Sequence, residues 1–306
     1  MKTRFPQLQK AIPVFCCLLT LSFTTQGLQS QSLPIWTDNA LSVEQAAQVE
    51  ATSFRALELD ESALRTLLKD APLQLIDMPH QSGVVLSLPL PNGETTDFRI
   101  VETPTMSAAL QSRFPSIRSY RGVGVDNPLH QLHCDMSPNG FHAMIFNEGS
   151  TVYIDPLRES APSNKHISYT REAFFQGTSK TWEGCQALAV GEKVPTSTLQ
   201  NQGTENVPIP MGSQRFPAPL LPQETDNGDE LRTYRLALAC TGEYAQFHGG
   251  TVTSVLAAMN TSMVRVNGVF ERDVAIRMVI VDNNDQLVFL NASTDPYTNN
   301  DGGTML

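Results

Sequence analysis

TVTSVLAAMNTSMVRVNGVFERDVAIRMVIV, Thr251 to Val281, decides how the fold is read. Val252, Val255, Leu256, Met259, Met263, Val266 and Phe270 recur at the period of an amphipathic helix. Val274 to Val281 (VAIRMVIV) is nearly all apolar, which predicts a strand covered on both faces. Upstream, Tyr234, Leu236, Leu238 and Cys240 alternate with Arg235, Ala237 and Ala239, predicting another strand. Thr241-Gly242-Glu243 opens a helical stretch, which Gly249-Gly250 interrupts. Strand, long helix and apolar strand in that order make a βαβ unit with parallel strands. Asp282-Asn283-Asn284-Asp285 reads as a turn and Gln286 to Leu290 as a further strand, before the polar stretch Asn291 to Leu306. Two or three strands and one helix cannot bury their own core. Residues 231–306 are therefore expected to be an incomplete domain, truncated within it.

Outward from this unit, residues 191–230 carry Pro195, Pro208, Pro210, Pro217, Pro219 and Pro222 and the acidic run Gln223 to Glu230. They predict an interdomain linker and the most exposed place for a protease to cut. Residues 28–190 have a different texture. Ser42 to Asp70 has apolar residues at roughly helical spacing and predicts a helix. After Pro72, short runs at Leu73–Ile76, Gly83–Leu90, Thr96–Val101, Ile117–Val125, Gln131–Asp135, Phe141–Asn147, Thr151–Asp155 and Lys165–Thr170 predict strands. Pro91-Asn92-Gly93 and Ser137-Pro138-Asn139-Gly140 are turn signals, and Met106 to Arg113 is a short helix candidate. The fold class is thus α+β: a β-rich antiparallel domain with an N-terminal helix, followed by the first βαβ portion of an α/β domain.

At the N-terminus, Lys2, Arg4 and Lys10 precede the apolar run AIPVFCCLLTLSF, Ala11 to Phe23, and the small and polar residues Thr24 to Gly27. This is the pattern of a secretory signal peptide over residues 1–27, which predicts an extracellular or periplasmic protein. The apolar run is too short to span a bilayer, so no stable membrane span is expected after cleavage. The net charge of −10, with no Lys/Arg cluster, argues against nucleic acid as a partner. Two of the five cysteines leave with the signal peptide, and Cys134, Cys185 and Cys240 remain, an odd number.

The stretch LRTYRLALACTGEYAQFHGGTVTSVLAAMNTSMVRVNGVFERDVAIRMVIVDNNDQLVFLNASTDPY, Leu231 to Tyr297, resembles the start of the catalytic domain of bacterial secreted reprolysin-like (adamalysin-like) zinc metallopeptidases of the metzincin clan. R-x-Y-R-L-A-L-A-C-T-G-E-Y, N-x-V-F-E-R-D-V and the D-P-Y loop carry the resemblance. It implies a secreted zymogen with a β-rich prodomain at 28–190, an activation site within 191–230, zinc as cofactor of the complete enzyme, and protein or peptide substrates. The family's zinc site is H-E-x-x-H-x-x-G-x-x-H, whose Glu activates a zinc-bound water. None of His80, His130, His133, His142, His166 and His248 is followed by Glu. The motif is absent, no catalytic residue can be assigned, and this polypeptide alone is expected not to hydrolyse peptides. The rival reading is a secreted, non-catalytic β-domain that binds or inhibits a partner, or a degenerate relic of a peptidase.

The resemblance gives Cys185, in Thr181-Trp182-Glu183-Gly184-Cys185, the reading of a prodomain thiolate on the zinc. Read from the residues alone it is equally a buried small side chain, or a disulfide partner of Cys134 or Cys240. Cys240 reads as a disulfide half whose partner lies outside this sequence, or as a core thiol. His130, His133, Cys134 and His142 invite a metal reading. Residues three apart on a strand point to opposite faces, however, so His130 and His133 cannot easily share an ion. Asp282 to Asp285 lacks the Gly and distal Glu of a calcium loop, and a turn is favoured.

Overall fold

A computed structural model describes residues 34–74, 82–157, 164–177 and 230–297. The expected signal peptide, Cys185 and nearly all of the expected linker lie outside the described residues. Among the described residues, nine strands form one antiparallel sheet: β1 (Trp36–Asp38), β2 (Phe54–Leu59), β3 (Val85–Pro89), β4 (Thr95–Glu102), β5 (Arg118–Gly124), β6 (Gln131–Ser137), β7 (Gly140–Asn147), β8 (Ser150–Pro156) and β9 (Lys165–Thr170). Their order is β1-β2-β9-β8-β7-β6-β5-β4-β3. The sheet curls until its ends meet. The Ser168 hydroxyl on β9 donates to Pro89 O on β3 at 2.9 Å, and Arg55 on β2 donates to Leu90 O and Glu94 O. The architecture is nearly a barrel.

Strand alternation fills the inside. Leu86, Leu88, Phe98, Ile100, Leu132, Cys134, Phe141, Ala143, Ile145, Val152 and Ile154 belong to one buried cluster. Helix α2 (Glu61–Lys69) closes it with Leu64 and Leu68. The helix expected across Ser42–Asp70 is corrected here. Only α1 (Val43–Ala46) and α2 are helical, with β2 between them. Leu57 and Leu59 are the buried positions of β2, two residues apart, a strand period that the wider helical spacing hid. Asp60 then restarts the chain as a helix by accepting a hydrogen bond from Ala63 N at 2.9 Å.

The βαβ unit stands as read. Strand β10 (Arg232–Leu236) pairs in parallel with β11 (Ile276–Ile280), in register from Arg232↔Ile276 to Leu236↔Ile280. Helix α5 (Gly242–Phe247) starts at the Thr241 cap, and the 23-residue helix α6 (Val252–Val274) at a Thr251/Ser254 capping box. A Cβ on Gly242 would come within 2.0 Å of Ala292 N, so only glycine lets the 291–292 backbone pass.

Two expectations are corrected. Residues 286–290 do not form a strand: Asn284–Leu287 is a 3₁₀ turn, and only Val288 bridges to Cys240. The buried Asn284 amide explains it, accepting from Leu238 N (2.7 Å) and donating to Leu238 O (3.0 Å) in the ladder positions a strand would use. Strand β11 is fully buried only at Ile280 and is not covered on both faces along its length.

The core that this unit could not complete from its own residues is completed by the N-terminal sequence. Helix α3 (Ala108–Arg113) and its flanks contribute Met106, Leu110 and Ile117 to the cluster that holds Cys240, Val255, Leu256, Met259, Met263 and Ile280. The 105–107 backbone also extends β11: Ile280 N donates to Thr105 O, and Ser107 N to Ile280 O, both at 2.9 Å. Residues 34–177 and 230–297 thus share one core, within one compact unit.

Candidate functional site

Helix α6 has two buried faces. One carries Val255, Leu256, Met259 and Met263 into the C-terminal core. The other carries Asn260, Thr261, Arg265, Gly268 and Glu271, again at helical spacing, onto the outer face of the curled sheet. The sheet answers with Ser119, Arg121, His133, Asp135 and Asp155, the residues that alternate with its inward-facing side chains. The result is a buried polar seam between helix and sheet.

Named from one end, Asn139 Nδ2 donates to Ser254 O at 2.9 Å. The Thr105 hydroxyl donates to Ser119, which donates to Asn260 Oδ1 at 3.0 Å. The Thr261 hydroxyl donates to Asp135 Oδ2 at 2.8 Å. Arg265 pairs with Asp155, which also accepts from the Tyr169 hydroxyl at 2.7 Å. At the far end Glu271 takes two hydrogen bonds from Arg277 (2.7 and 2.9 Å) and faces Arg121 at 3.6 Å. Asn267 ties the helix to its own sheet, accepting from Met278 N and donating to Met278 O. At Gly268 helix and sheet come close together: a Cβ there would lie 2.6 Å from Met144 Cε and 3.0 Å from the His133 ring.

Burial and charge set the protonation of the seam. Burial lowers the His133 pKa to about 4, with Arg121, Arg277 and Arg272 adding to the effect against Glu271. Burial raises the Asp135 pKa to about 7, although Thr261, Arg265 and Asn260 pull the other way. Burial would raise Asp155 and Glu271 too. Arg265, His142 and Tyr169 together outweigh it at Asp155, and Arg277, His133 and Arg121 together at Glu271, so both carboxyls sit below their ordinary values.

Removing one side of the Arg265–Asp155 pair should therefore be costly. Their side chains are 32% and 17% exposed, so the loss is smaller than for a fully dry pair. Asp155→Ala should destabilise the chain by about 2 kcal/mol. The urea midpoint should fall with an unchanged slope. Replacing both partners, as Asp155→Leu with Arg265→Met, should recover most of that loss; equal loss in the double variant would contradict the pairing.

The residues that the sequence singled out for chemistry do not converge. His133 and Cys134 are neighbours on β6 but face opposite sides, His133 toward α6 and Cys134 into the sheet interior. His142 lies across β6–β7 from Asp135, with 3.9 Å between Nδ1 and Oδ2. His130 sits in the β5–β6 loop beside Asn127. Among the described residues Cys134 and Cys240 are both free thiols; the partner expected for Cys240 lies outside this sequence, and Cys185 lies outside the described residues. Burial holds both thiols protonated by raising their pKa values. Asp282–Asp285 is more than a turn: Asp285 takes a two-pronged bond from Arg113 of α3, at 2.7 and 3.0 Å. The sequence reading missed Asn260, Thr261, Arg265, Gly268 and Asn284. Its available signal was a second stripe of polar and small residues on α6 at the same helical period.

With this geometry in place, comparison with known families bears on the C-terminal part. Residues 230–306 match the model of the reprolysin-like metallo-peptidase family M12B. Over these residues, about a quarter of the chain, the sequence is similar to that family. The match covers the βαβ unit and its following turn, as the sequence resemblance implied. A comparison with curated proteins finds no match. The M12B reprolysin-like family implies zinc in its complete enzymes. The described reprolysin-like residues do not fit that metal: no group of three or more His, Cys, Asp or Glu side chains converges among them. No helix of the described residues is long and apolar enough to cross a membrane.

Proposed function

We propose that this chain is the N-terminal portion of a secreted, zinc-dependent metalloendopeptidase precursor. Residues 28–190 act as its prodomain, and the reprolysin-like segment is the first part of its catalytic domain. Residues 1–27 export it; cleavage within 191–230 cuts the covalent link, and the catalytic part is freed to act on protein or peptide substrates once the non-covalent contacts between the two parts are then broken. Cys185 is the candidate thiolate that keeps the complete enzyme latent.

The observation that carries this reading is the seam. A prodomain that guards an enzyme during export must hold it tightly enough to survive folding, yet by contacts that can be broken. Here α6 is the spine of the reprolysin-like segment. It meets the β-rich sheet through hydrogen bonds and ion pairs, and α3 finishes its apolar core. Asn260, Thr261 and Arg265 position the helix; they do not perform chemistry. Zinc, when a complete enzyme holds it, supplies the activated water of peptide hydrolysis. The chain described here contributes the scaffold that orients the segment next to it.

Limited proteolysis tests this. A mild protease should cut the chain within residues 191–230, and the two products should still co-elute in size exclusion at neutral pH. Separation of the products without denaturant would overturn the guarding role. In the gene, an H-E-x-x-H motif is expected within about a hundred residues after Leu306. A stop codon there instead would favour a non-catalytic binding protein.

A further inference from the structure

Beside the seam lies a cleft of about 530 Å³ that the peptidase reading does not use. Its floor is the outer face of β7–β9, and its walls are α4 (Arg171–Gly177) and the last turns of α6. Its size is that of a site for a small organic molecule. Aromatic rings run through it in sequence. Tyr153, Tyr169 and Phe174 follow one another at centroid spacings of 5.7 and 5.9 Å, in tilted pairs. Three guanidinium groups border these rings. Arg265 lies 5.1 Å from the Tyr153 centroid, Arg272 4.1 Å from Phe146 and Arg171 5.5 Å from Phe175.

The charge here is the reverse of the chain's. The protein carries 21 Lys and Arg against 31 Asp and Glu. Yet three arginines line this cleft with one carboxylate, Asp273, which takes the hydrogen bonds of Arg272. Arg265 is met from behind by Asp155. Arg171, exposed on the first turn of α4, forms no ion pair with a carboxylate among the described residues. A planar guanidinium over an aromatic ring is preorganised to take a carboxylate in its plane while the ring packs on an apolar body.

We propose that this cleft binds an aromatic carboxylate, as a free acid or as the aromatic C-terminal residue of a peptide. Arg171 receives the carboxylate. The ring of the ligand stacks among Tyr153, Tyr169 and Phe174. The proposal does not depend on the peptidase reading, because no atom of the zinc motif takes part.

Isothermal titration of the full chain with N-acetyl-L-phenylalanine tests it, with N-acetyl-L-phenylalaninamide as the uncharged probe. The acid should bind at least tenfold more tightly than the amide. Arg171→Gln should weaken the acid at least tenfold and leave the amide unchanged; Arg171 is exposed, and the circular dichroism of the variant should match the parent. Glycyl-glycyl-phenylalanine separates the two sources. Tighter binding than the acetylated amino acid marks a peptide end, and weaker or equal binding marks a free acid. No binding by either acid, equal binding of acid and amide, or an Arg171→Gln variant that binds the acid as well as the parent would each overturn the assignment.

Discussion

Gly268→Leu should lower the melting temperature of the chain by roughly 6–12 °C, a loss of about 3 kcal/mol. Gly268 sits inside a 23-residue helix, where glycine costs about 1 kcal/mol relative to alanine. Its retention makes sense only from the sheet side. There the Cβ position is already 2.6 Å from Met144 Cε and 3.0 Å from the His133 ring atoms Cγ and Cδ2. The Met144 terminus can swing away. The His133 ring cannot, because it is buried between Arg121 on β5 and Met144 on β7, its cross-strand partners. A leucine must push α6 off the sheet and pull the seam's hydrogen bonds apart with it. Gly268→Ala is the graded control: a methyl asks for a shift of a few tenths of an ångström at His133, and the better helix former offsets part of the cost. A leucine variant that melts with the parent would show that helix and sheet are not in contact there.

The second large effect is in the pH dependence, and it is hidden in the parent. The His133 pKa falls from about 6.5 in an unfolded chain to about 4 in the fold. The stability this protects is present above the unfolded value and is lost as pH falls toward 4. The Asp135 pKa rises from 3.8 to about 7. Its contribution is present below the unfolded value and is lost as pH rises through 7. The two residues are neighbours on one face of β6, and between pH 4 and 6.5 their slopes have opposite sign. Each is worth roughly 3 kcal/mol across that window, so in the parent they nearly cancel. Asp135→Asn should expose the histidine, with stability falling by roughly 3 kcal/mol from pH 7 to pH 4 relative to the parent. His133→Phe should expose the aspartate, with stability rising over the same descent. The double variant should be flat again relative to the parent. Urea midpoints at five or six pH values would decide it, and parallel curves for all four chains would refute the coupling.

Much of the fold is legible because its periods are clean. Helix α6 announces itself through seven apolar residues at helical spacing, and β3 to β9 through short runs punctuated by Asn-Gly and Pro turns. Gly93 and Gly140 indeed adopt the positive φ those turns need, 94° and 108°. Strand β2 was illegible as a strand because α2 follows directly, and its apolar residues blend into one helical spacing. The seam was illegible for a different reason. Asp135 and Thr261 are 126 positions apart, and no local rule links them. On a helical wheel Asn260, Thr261, Arg265 and Glu271 look like a solvated face, which is the commoner fate of such a stripe. Strand β6 did hold a clue. QLHCDMS places His133 and Asp135 opposite Leu132, Cys134 and Met136, yet all five are buried. A strand with polar residues on one face and apolar residues on the other reads as half-exposed unless something covers the polar side. The covering helix lies more than a hundred residues downstream.

The central claim is that the β-rich sheet and the reprolysin-like helix open together, as one structure. Native-state hydrogen exchange tests it most directly. Backbone amides of Val252–Val274 and of the β6–β7 pair should exchange with the same opening free energy in the parent. Asp155→Ala should lower both by the same amount. If the α6 amides exchange through their own smaller opening, and Asp155→Ala leaves the β6–β7 amides unchanged, helix and sheet are separate units and the seam does not hold them together.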